Sequence, residues 1–201
     1  MNCIAIETST NICSAALFRN KNLIRIKEIN KPRAHSKELG IMINNLIKES
    51  KIEVDILDFI ALSIGPGSFT GLRIGSSLAK GMAYALKIPI VMVPTLHSLE
   101  NKIGNREKHS IGLYSHKDQI YIQDFKSCEP DSSIKLIASK DIRSKKLYGF
   151  DLNLADETLE FIKLKPSAKL VGELAYEKYN EWLVEDLSKA KLNYITNLKI
   201  N

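Results

Sequence analysis

The stretch that most constrains the fold is a glycine-rich segment between two apolar runs, Gly65-Pro66-Gly67-Ser68-Phe69-Thr70-Gly71. The run before it, residues 59–64, is typical of a buried strand, and residues 71–87 repeat apolar side chains with a helical period. A glycine turn is therefore predicted to join a strand to a helix. Such a turn lets the backbone approach another surface closely and directs free N–H groups at an anion or at a neighbouring backbone.

The elements around this turn predict an α/β layer, a unit in which helices cover a sheet. The other elements predicted for the first half are strands at 3–9, 13–19, 23–29 and 90–93 and a helix at 36–50 capped by Ser36. We assign residues 1–98 to this first region and residues 99–201 to a smaller, divergent one. The second region is predicted to hold strands at 111–114, 119–125 and 134–138 and a helix at 168–187.

The composition is that of a globular protein, with 201 residues, 44% of them hydrophobic and 26% charged. No segment approaches the roughly 18 apolar residues of a membrane span, and the start lacks a basic region followed by a long apolar run, so we expect a cytoplasmic protein and no membrane partner. The net charge of +6 permits an acidic partner such as RNA, but the lysines are scattered rather than clustered. The three cysteines lack metal-type spacing and are predicted to be mostly buried thiols.

Known nucleotide and catalytic motifs fit the glycine segment poorly. A phosphate-binding P-loop needs Lys and Ser or Thr after its last glycine, whereas Gly71 is followed by Leu72-Arg73. A dinucleotide fold needs an acidic residue after the next strand, and here Val93 is followed by proline. Phosphate binding by the loop remains open, and its residues would be Gly65, Gly67, Ser68, Thr70 and Gly71.

No catalytic or metal-binding residue is assigned from the sequence. The four histidines never occur three or four residues apart, so no helix face presents a histidine pair. Ser68 lacks the glycine frame of a hydrolase nucleophile. Glu7, at the end of the first predicted strand, either caps the turn or orients a metal-bound water, and the cap is the commoner use of such a side chain.

Two adjacent stripes run along the predicted helix that follows the glycine turn. One consists of small residues and the other of large ones, Gly71, Gly75, Ala79 and Ala83 beside Ile74, Leu78, Met82 and Leu86. Such a face can pack on the sheet and also let a second helix approach closely. The pattern is satisfied equally by packing within the chain and by packing within the chain plus a partner.

Several motifs together resemble the TsaB (YeaZ) family over residues 3 to about 98. They are Ile4-Ala5-Ile6-Glu7-Thr8-Ser9-Thr10, His35-Ser36-x-x-Leu39, the glycine segment continued through Leu72-Arg73-Ile74-Gly75, and Ala79-Lys80-Gly81-Met82-Ala83. The resemblance implies an actin-like, sugar-kinase-like ATPase (ASKHA) fold of class α/β, with two small subdomains and a degenerate second half. It also implies a role in forming threonylcarbamoyladenosine (t6A) at position 37 of ANN-decoding tRNAs.

The resemblance further implies a non-catalytic subunit. The paralogous catalytic subunit, TsaD, carries a His-x-x-x-His metal motif where this chain has Thr95 and Leu99, which cannot bind iron or zinc as imidazole does. The chain is thus expected to hold no cofactor of its own, with ATP and metal on the partner subunits. The implied partners are TsaD in a heterodimer, TsaE as a further ATPase and a TsaC-type enzyme that supplies the activated threonylcarbamoyl group, with tRNA contacted through the complex.

Members of the resembled family dimerise with TsaD through their first two helices, which correspond to residues 36–50 and 71–87. The residues expected on this surface are Leu39, Met42, Ile43, Leu46, Arg73, Ser76, Lys80 and Met82. Two alternatives remain: a self-dimer through the same helices, and a stand-alone actin-fold ATPase or kinase. In the second half, the family's C-terminal Pro-x-Tyr-x-Arg pattern is lost and appears as Leu192-Asn193-Tyr194-Ile195-Thr196.

Overall fold

The first sheet is built on three parallel strands whose side chains are buried on both faces. The computed structural model describes residues 1–104, 107–144 and 146–195, so Thr196 of the C-terminal motif lies outside the described residues. The strands of this sheet, in chain order, are β1 Asn2–Glu7, β2 Ile12–Arg19, β3 Asn22–Asn30, β4 Phe59–Ser63 and β5 Ile90–Val93. They lie in the order β5-β4-β1-β2-β3, with β1, β4 and β5 parallel and β1-β2-β3 forming the predicted antiparallel meander.

Helices cover both faces of this sheet. The helices are α1 His35–Ser50, α2 Phe69–Leu86, α3 Thr95–Ile103, α4 Ala168–Glu177 and the short α5 Tyr179–Trp182. Because successive side chains of a strand point to opposite faces, Ile4 and Ile6 of β1 pack in one core with α1 and α2, whereas Cys3 and Ala5 pack in another with α4. A sheet covered on both faces needs strands that are apolar at every position, rather than at every second one.

The second sheet is smaller and follows α3. Its strands are β6 His109–His116, β7 Gln119–Lys126, β8 Glu129–Pro130, β9 Lys135–Ala138, β10 Leu147–Phe150 and β11 Ile162–Lys163. They lie in the order β11-β10-β6-β7-β8, and β9 also pairs with β7. The junction with the first half includes a buried contact, in which Glu100 Oε2 of α3 lies 2.6 Å from His109 Nε2 of β6.

The chain returns to the first sheet after the second one. The strand β12, Leu183–Val184, pairs antiparallel with β5, and α4 packs on the face opposite α1 and α2. The predicted helix over 168–187 is therefore wrong beyond Trp182, because hydrogen bonding to the exposed edge of β5 draws the following residues into a strand. The division at residue 98 stays a prediction.

The structure also bears on smaller expectations from the sequence. Ser36 is not a cap, since α1 already begins at His35 and has no side-chain cap. The helix α3 was not predicted, because its segment is short and partly charged. Cys3 and Cys13 are buried, as predicted, while Cys128 is partly exposed. Among residues 1–104, 107–144 and 146–195, every helix falls short of the length and hydrophobicity that crossing a bilayer demands.

Candidate partner interface and glycine loop

The glycine loop joins β4 to α2, as predicted, and the chain's own groups hold it in place. Gly65 has a φ of +103°, which favours glycine, and the peptide bond to Pro66 is cis. Thr95 Oγ1 accepts from Gly65 N at 3.1 Å and lies 2.8 Å from Ser63 Oγ, while Thr95 N donates to Gly65 O at 2.9 Å. Thr95 is fully buried, so this residue serves as an anchor for the loop.

The small-residue stripe of α2 faces the turn that follows β1. A Cβ added to Gly71 would overlap the carbonyl oxygen of Thr8, and one added to Gly75 would overlap Thr8 Oγ1. A Cβ on Gly67 would likewise overlap the backbone of Ser9. Gly71 and Gly75 therefore let α2 approach the β1–β2 turn of the same chain, and Gly67 does the same for the loop before it. Packing within the chain thus explains the small residues at the start of the stripe, and no partner is needed there.

Besides Gly65 N, two amide groups of the loop have hydrogen-bond partners within the chain. Ser68 N donates to Ser9 O at 2.6 Å, and Gly71 N donates to Ser68 Oγ at 3.2 Å, so Ser68 caps α2. The loop also lines a cleft of about 390 Å³ between the two sheets, together with the β1–β2 turn and residues such as Tyr114 and Tyr121. Thr70 is exposed at the start of α2. Phosphate binding by the loop stays a prediction.

Glu7 is hydrogen-bonded to Ser9, which lines this cleft, and caps the turn. Ser9 N donates to its Oε1 at 2.5 Å, and Oε2 has no hydrogen-bond partner among the described residues. The side chain is fully buried, and the loss of hydration raises the pKa of its carboxyl group, an effect that hydrogen bonding with Ser9 and Ser63 partly opposes. Of the two uses considered for Glu7, the structure therefore displays the cap.

The structure corrects the orientation expected for most of the predicted partner residues. Four of them on α1 point into the core between that helix and the sheet: Leu39, Met42, Ile43 and Leu46, each at most 8% exposed. On α2, Ser76 is buried, Lys80 and Met82 are half-buried, and Arg73 is exposed. The physical reason is that the apolar stripe of a surface helix covers its own sheet first, so periodicity found the inward face.

The outward face of the two helices includes Arg73 from the predicted set but consists mostly of other residues. An open groove of about 430 Å³ runs between them, lined by Ser36 and Gly40 of α1 and by Arg73, Ile74 and Leu78 of α2, among others. Large apolar side chains lie exposed on the same two helices, namely Ile41, Phe69 and Tyr84. The sequence pattern does not reveal these three residues, because they lie off the apolar stripe, and only their exposure in the fold identifies them.

A family model and several relatives match this chain. The model of TsaD, tRNA N6-adenosine threonylcarbamoyltransferase, matches residues 27–129, a little over half of the chain. The chain belongs to the TsaD family. Within it, the chain is 31% identical over 121 residues to the tRNA threonylcarbamoyladenosine biosynthesis protein TsaB of Buchnera aphidicola subsp. Acyrthosiphon pisum, covering 59% of this chain and 54% of that protein. It is 33% identical over 99 residues to TsaB of Escherichia coli K12, covering 49% and 42%.

The match to these relatives is partial, whereas the match in fold is nearly complete. The chain spans about half the length of the curated relatives that it matches. The solved structure of YeaZ from Pseudomonas aeruginosa superposes with a TM-score of 0.79 over 96% of this chain and 99% of that one, at 22% sequence identity. The expected resemblance to TsaB (YeaZ) and the expected α/β fold are therefore confirmed.

Proposed function

We propose that this chain is the non-catalytic, activating subunit of a cytoplasmic complex that transfers threonylcarbamoyl to N6 of adenosine 37 in ANN-decoding tRNAs. It acts as a heterodimer with a TsaD-type catalytic subunit. The proposal rests on the two positions where the catalytic paralogue has its metal-binding histidines. In this chain both positions are occupied by buried residues that serve the fold. Thr95 is buried and anchors the glycine loop, and Leu99 is buried in the core, so neither side chain is available to a metal.

The outward face of α1 and α2 supports the docking part of the proposal. It combines the groove with exposed apolar side chains, and each helix has a glycine whose added Cβ would meet nothing within 4 Å, Gly40 in α1 and Gly81 in α2. A glycine inside an exposed helix costs about 1 kcal/mol relative to alanine. No contact among the described residues requires these two glycines, whereas a partner helix could use the space for close approach.

Burial of this face would stabilise a complex. Each Å² of apolar surface removed from water contributes about 25 cal/mol, much of it offset by the entropy lost on association. The mechanism that we propose is a shift of the partner toward its competent conformation, through contacts made only in that state. In this account ATP and metal are held by the partner subunits, TsaE acts as a further partner, and tRNA is reached through the complex. A self-dimer through the same face would compete with the heterodimer.

The experiment is a clean deletion of the gene, followed by mass spectrometry of the modified nucleosides. Loss of t6A, with restoration by the wild-type chain, is the expected result. The purified chain alone is expected neither to hydrolyse ATP quickly nor to make the modified tRNA. Undiminished t6A in the deletion strain would overturn the proposal.

A second candidate function, a stand-alone actin-fold ATPase or kinase, has one observation in its favour. The buried carboxyl group of Glu7 is hydrogen-bonded to Ser9, which lines the cleft between the sheets. Calorimetry of the isolated, metal-replete chain with Mg-ATP distinguishes the two functions. Tight binding of Mg-ATP would support the ATPase function, and no binding would exclude it.

A further inference from the structure

The C-terminal segment reaches one end of the proposed docking face. Residues 185–195, called here the C-terminal strap, follow β12 and pack along α2: Ala190 is buried, and Leu187 and Leu192 contact the core that α1 and α2 share. The strap ends at the glycine loop, where Asn193 N donates to Ile64 O at 2.8 Å. Its backbone lies so close to the loop that a Cβ on Gly65 would be 2.9 Å from the carbonyl oxygen of Asn193.

This placement brings Tyr194 into a cluster with two residues of α2. Its ring lies 5.0 Å from the ring of Phe69, and its hydroxyl accepts from Arg73 Nε at 3.4 Å. The guanidinium carbon of Arg73 lies 3.7 Å from the centre of the Phe69 ring, within the range of a cation–π contact. All three side chains are exposed, although aromatic and arginine side chains of this kind commonly dominate the energy of protein interfaces.

The cluster leaves most of the arginine's hydrogen-bonding capacity unused. Among the described residues, Arg73 has no carboxylate within ion-pair distance, and its terminal amino groups have no hydrogen-bond partner. Two contacts hold the guanidinium, which lies over the Phe69 ring and donates from Nε to the Tyr194 hydroxyl. A guanidinium fixed in this way presents two parallel N–H donors, the geometry that binds a carboxylate through both oxygens.

The exposed charges at the start of α1 and just before it are positive. Lys31 and Arg33 precede α1 and Lys37 lies in its first turn, beside Ser36, which lines the same groove as Arg73. Within the part of the chain that the structure describes, none of these three has an ion-pair partner. The only carboxylate of that turn is Glu38, which is half-buried. This end of the docking face is therefore complementary to an acidic surface.

We infer that Arg73 binds a carboxylate in an acidic patch of the partner subunit, and that Tyr194 is the residue that positions it. The inference rests on the proposed function, since it names the chemistry of the partner at the same face. Tyr194 acts through Arg73 and the strap, which explains how a residue near the end of the chain contributes to a surface formed by the first two helices.

The test measures the affinity of the full chain for the purified TsaD-type subunit at several salt concentrations. A charge-assisted hydrogen bond contributes about 1.5–3 kcal/mol, so we expect Arg73→Glu to weaken binding by about tenfold to a hundredfold and to flatten the salt dependence. The matched control is Lys102→Glu, which makes the same charge change on an exposed lysine of α3. Chemical denaturation verifies that each variant is folded.

A double-mutant cycle tests the positioning role. We expect Tyr194→Ala to weaken binding several-fold in the wild-type background and to have no effect in the Arg73→Ala background, whereas a merely structural role would weaken binding equally in both. Equal effects in both backgrounds, or equal affinities of Arg73→Glu and Lys102→Glu, would overturn the inference. So would an Arg73→Glu variant that loses tRNA binding while keeping full affinity for the protein partner. If the wild-type chain forms no complex at all, the proposed function fails and this inference fails with it.

Discussion

Two glycines of α2 make the packing of this helix directly measurable. Gly75 and Gly81 both lie in the interior of the helix, but a Cβ on Gly75 would overlap Thr8 Oγ1 and lie 3.5 Å from Ile6 Cγ2, whereas one on Gly81 would meet nothing within 4 Å. Replacing each with alanine changes the helix propensity equally. The difference between the two variants therefore isolates the contact with the β1–β2 turn.

The magnitude follows from two opposing terms. Alanine is favoured over glycine by about 1 kcal/mol inside a helix, so Gly81→Ala should stabilise the chain by about that amount. Overpacking a buried contact costs about 1–3 kcal/mol, and Thr8 is a β-branched, fully buried residue that cannot move aside easily. Gly75→Ala should then be about 1–3 kcal/mol less stable than Gly81→Ala. Gly71→Ala should also be destabilised, because there the obstacle is the backbone oxygen of Thr8.

Urea unfolding followed by circular dichroism gives the required free energies by linear extrapolation. The expected order of midpoints is Gly81→Ala above wild type and Gly75→Ala below Gly81→Ala, with similar slopes. If Gly75→Ala and Gly81→Ala unfold at the same urea concentration, the small-residue stripe is not filled by the chain itself, and the reasoning about α2 is refuted.

Three other experiments test the core and the loop. Leu46→Ala should lower the free energy of unfolding by about 2–5 kcal/mol, and Ile41→Ala should change it by less than about 0.5 kcal/mol, as measured by urea unfolding; equal effects would refute the orientation of α1. Because burial raises the pKa of Glu7 above 4.5 in the folded state, the wild type should lose stability as the pH rises from 4.5 through the folded-state pKa. Glu7→Gln should not, and parallel pH profiles of the two would contradict this. Thr95→Val, which leaves Gly65 N and Ser63 Oγ without their partner, should cost about 1–3 kcal/mol in the same assay, and an unchanged midpoint would exclude the anchoring role.

Much of the first half could be predicted from its sequence because local patterns decide it. The strand β5 ends where predicted, since Pro94 cannot continue it, and β4 and α2 flank the glycine loop as expected. Periodicity also identified the apolar side of α1, but it cannot tell which surface that side covers. Leu46 packs in the core against the chain's own sheet, so the side of α1 predicted to bind a partner is its buried side.

The remainder depends on contacts between distant parts of the chain. The residues after Trp182 have a helical pattern, yet pairing with β5 makes Leu183–Val184 a strand. Nothing local indicates that Tyr194 returns to Arg73, a contact 121 residues apart along the chain. The exposure of Ile41 likewise follows from the way that α1 lies on the sheet, which only the fold determines.

The central claim is that the outward face of α1 and α2 binds the catalytic partner, and analytical ultracentrifugation of the chain with a TsaD-type subunit tests it most directly. Ile41 is 55% exposed, so Ile41→Asp should leave the chain folded while placing a charge in the interface. Leu46→Asp cannot serve, because that side chain is fully buried. The account predicts a 1:1 complex with the wild type and little or none with Ile41→Asp. A complex of undiminished strength with Ile41→Asp would contradict it.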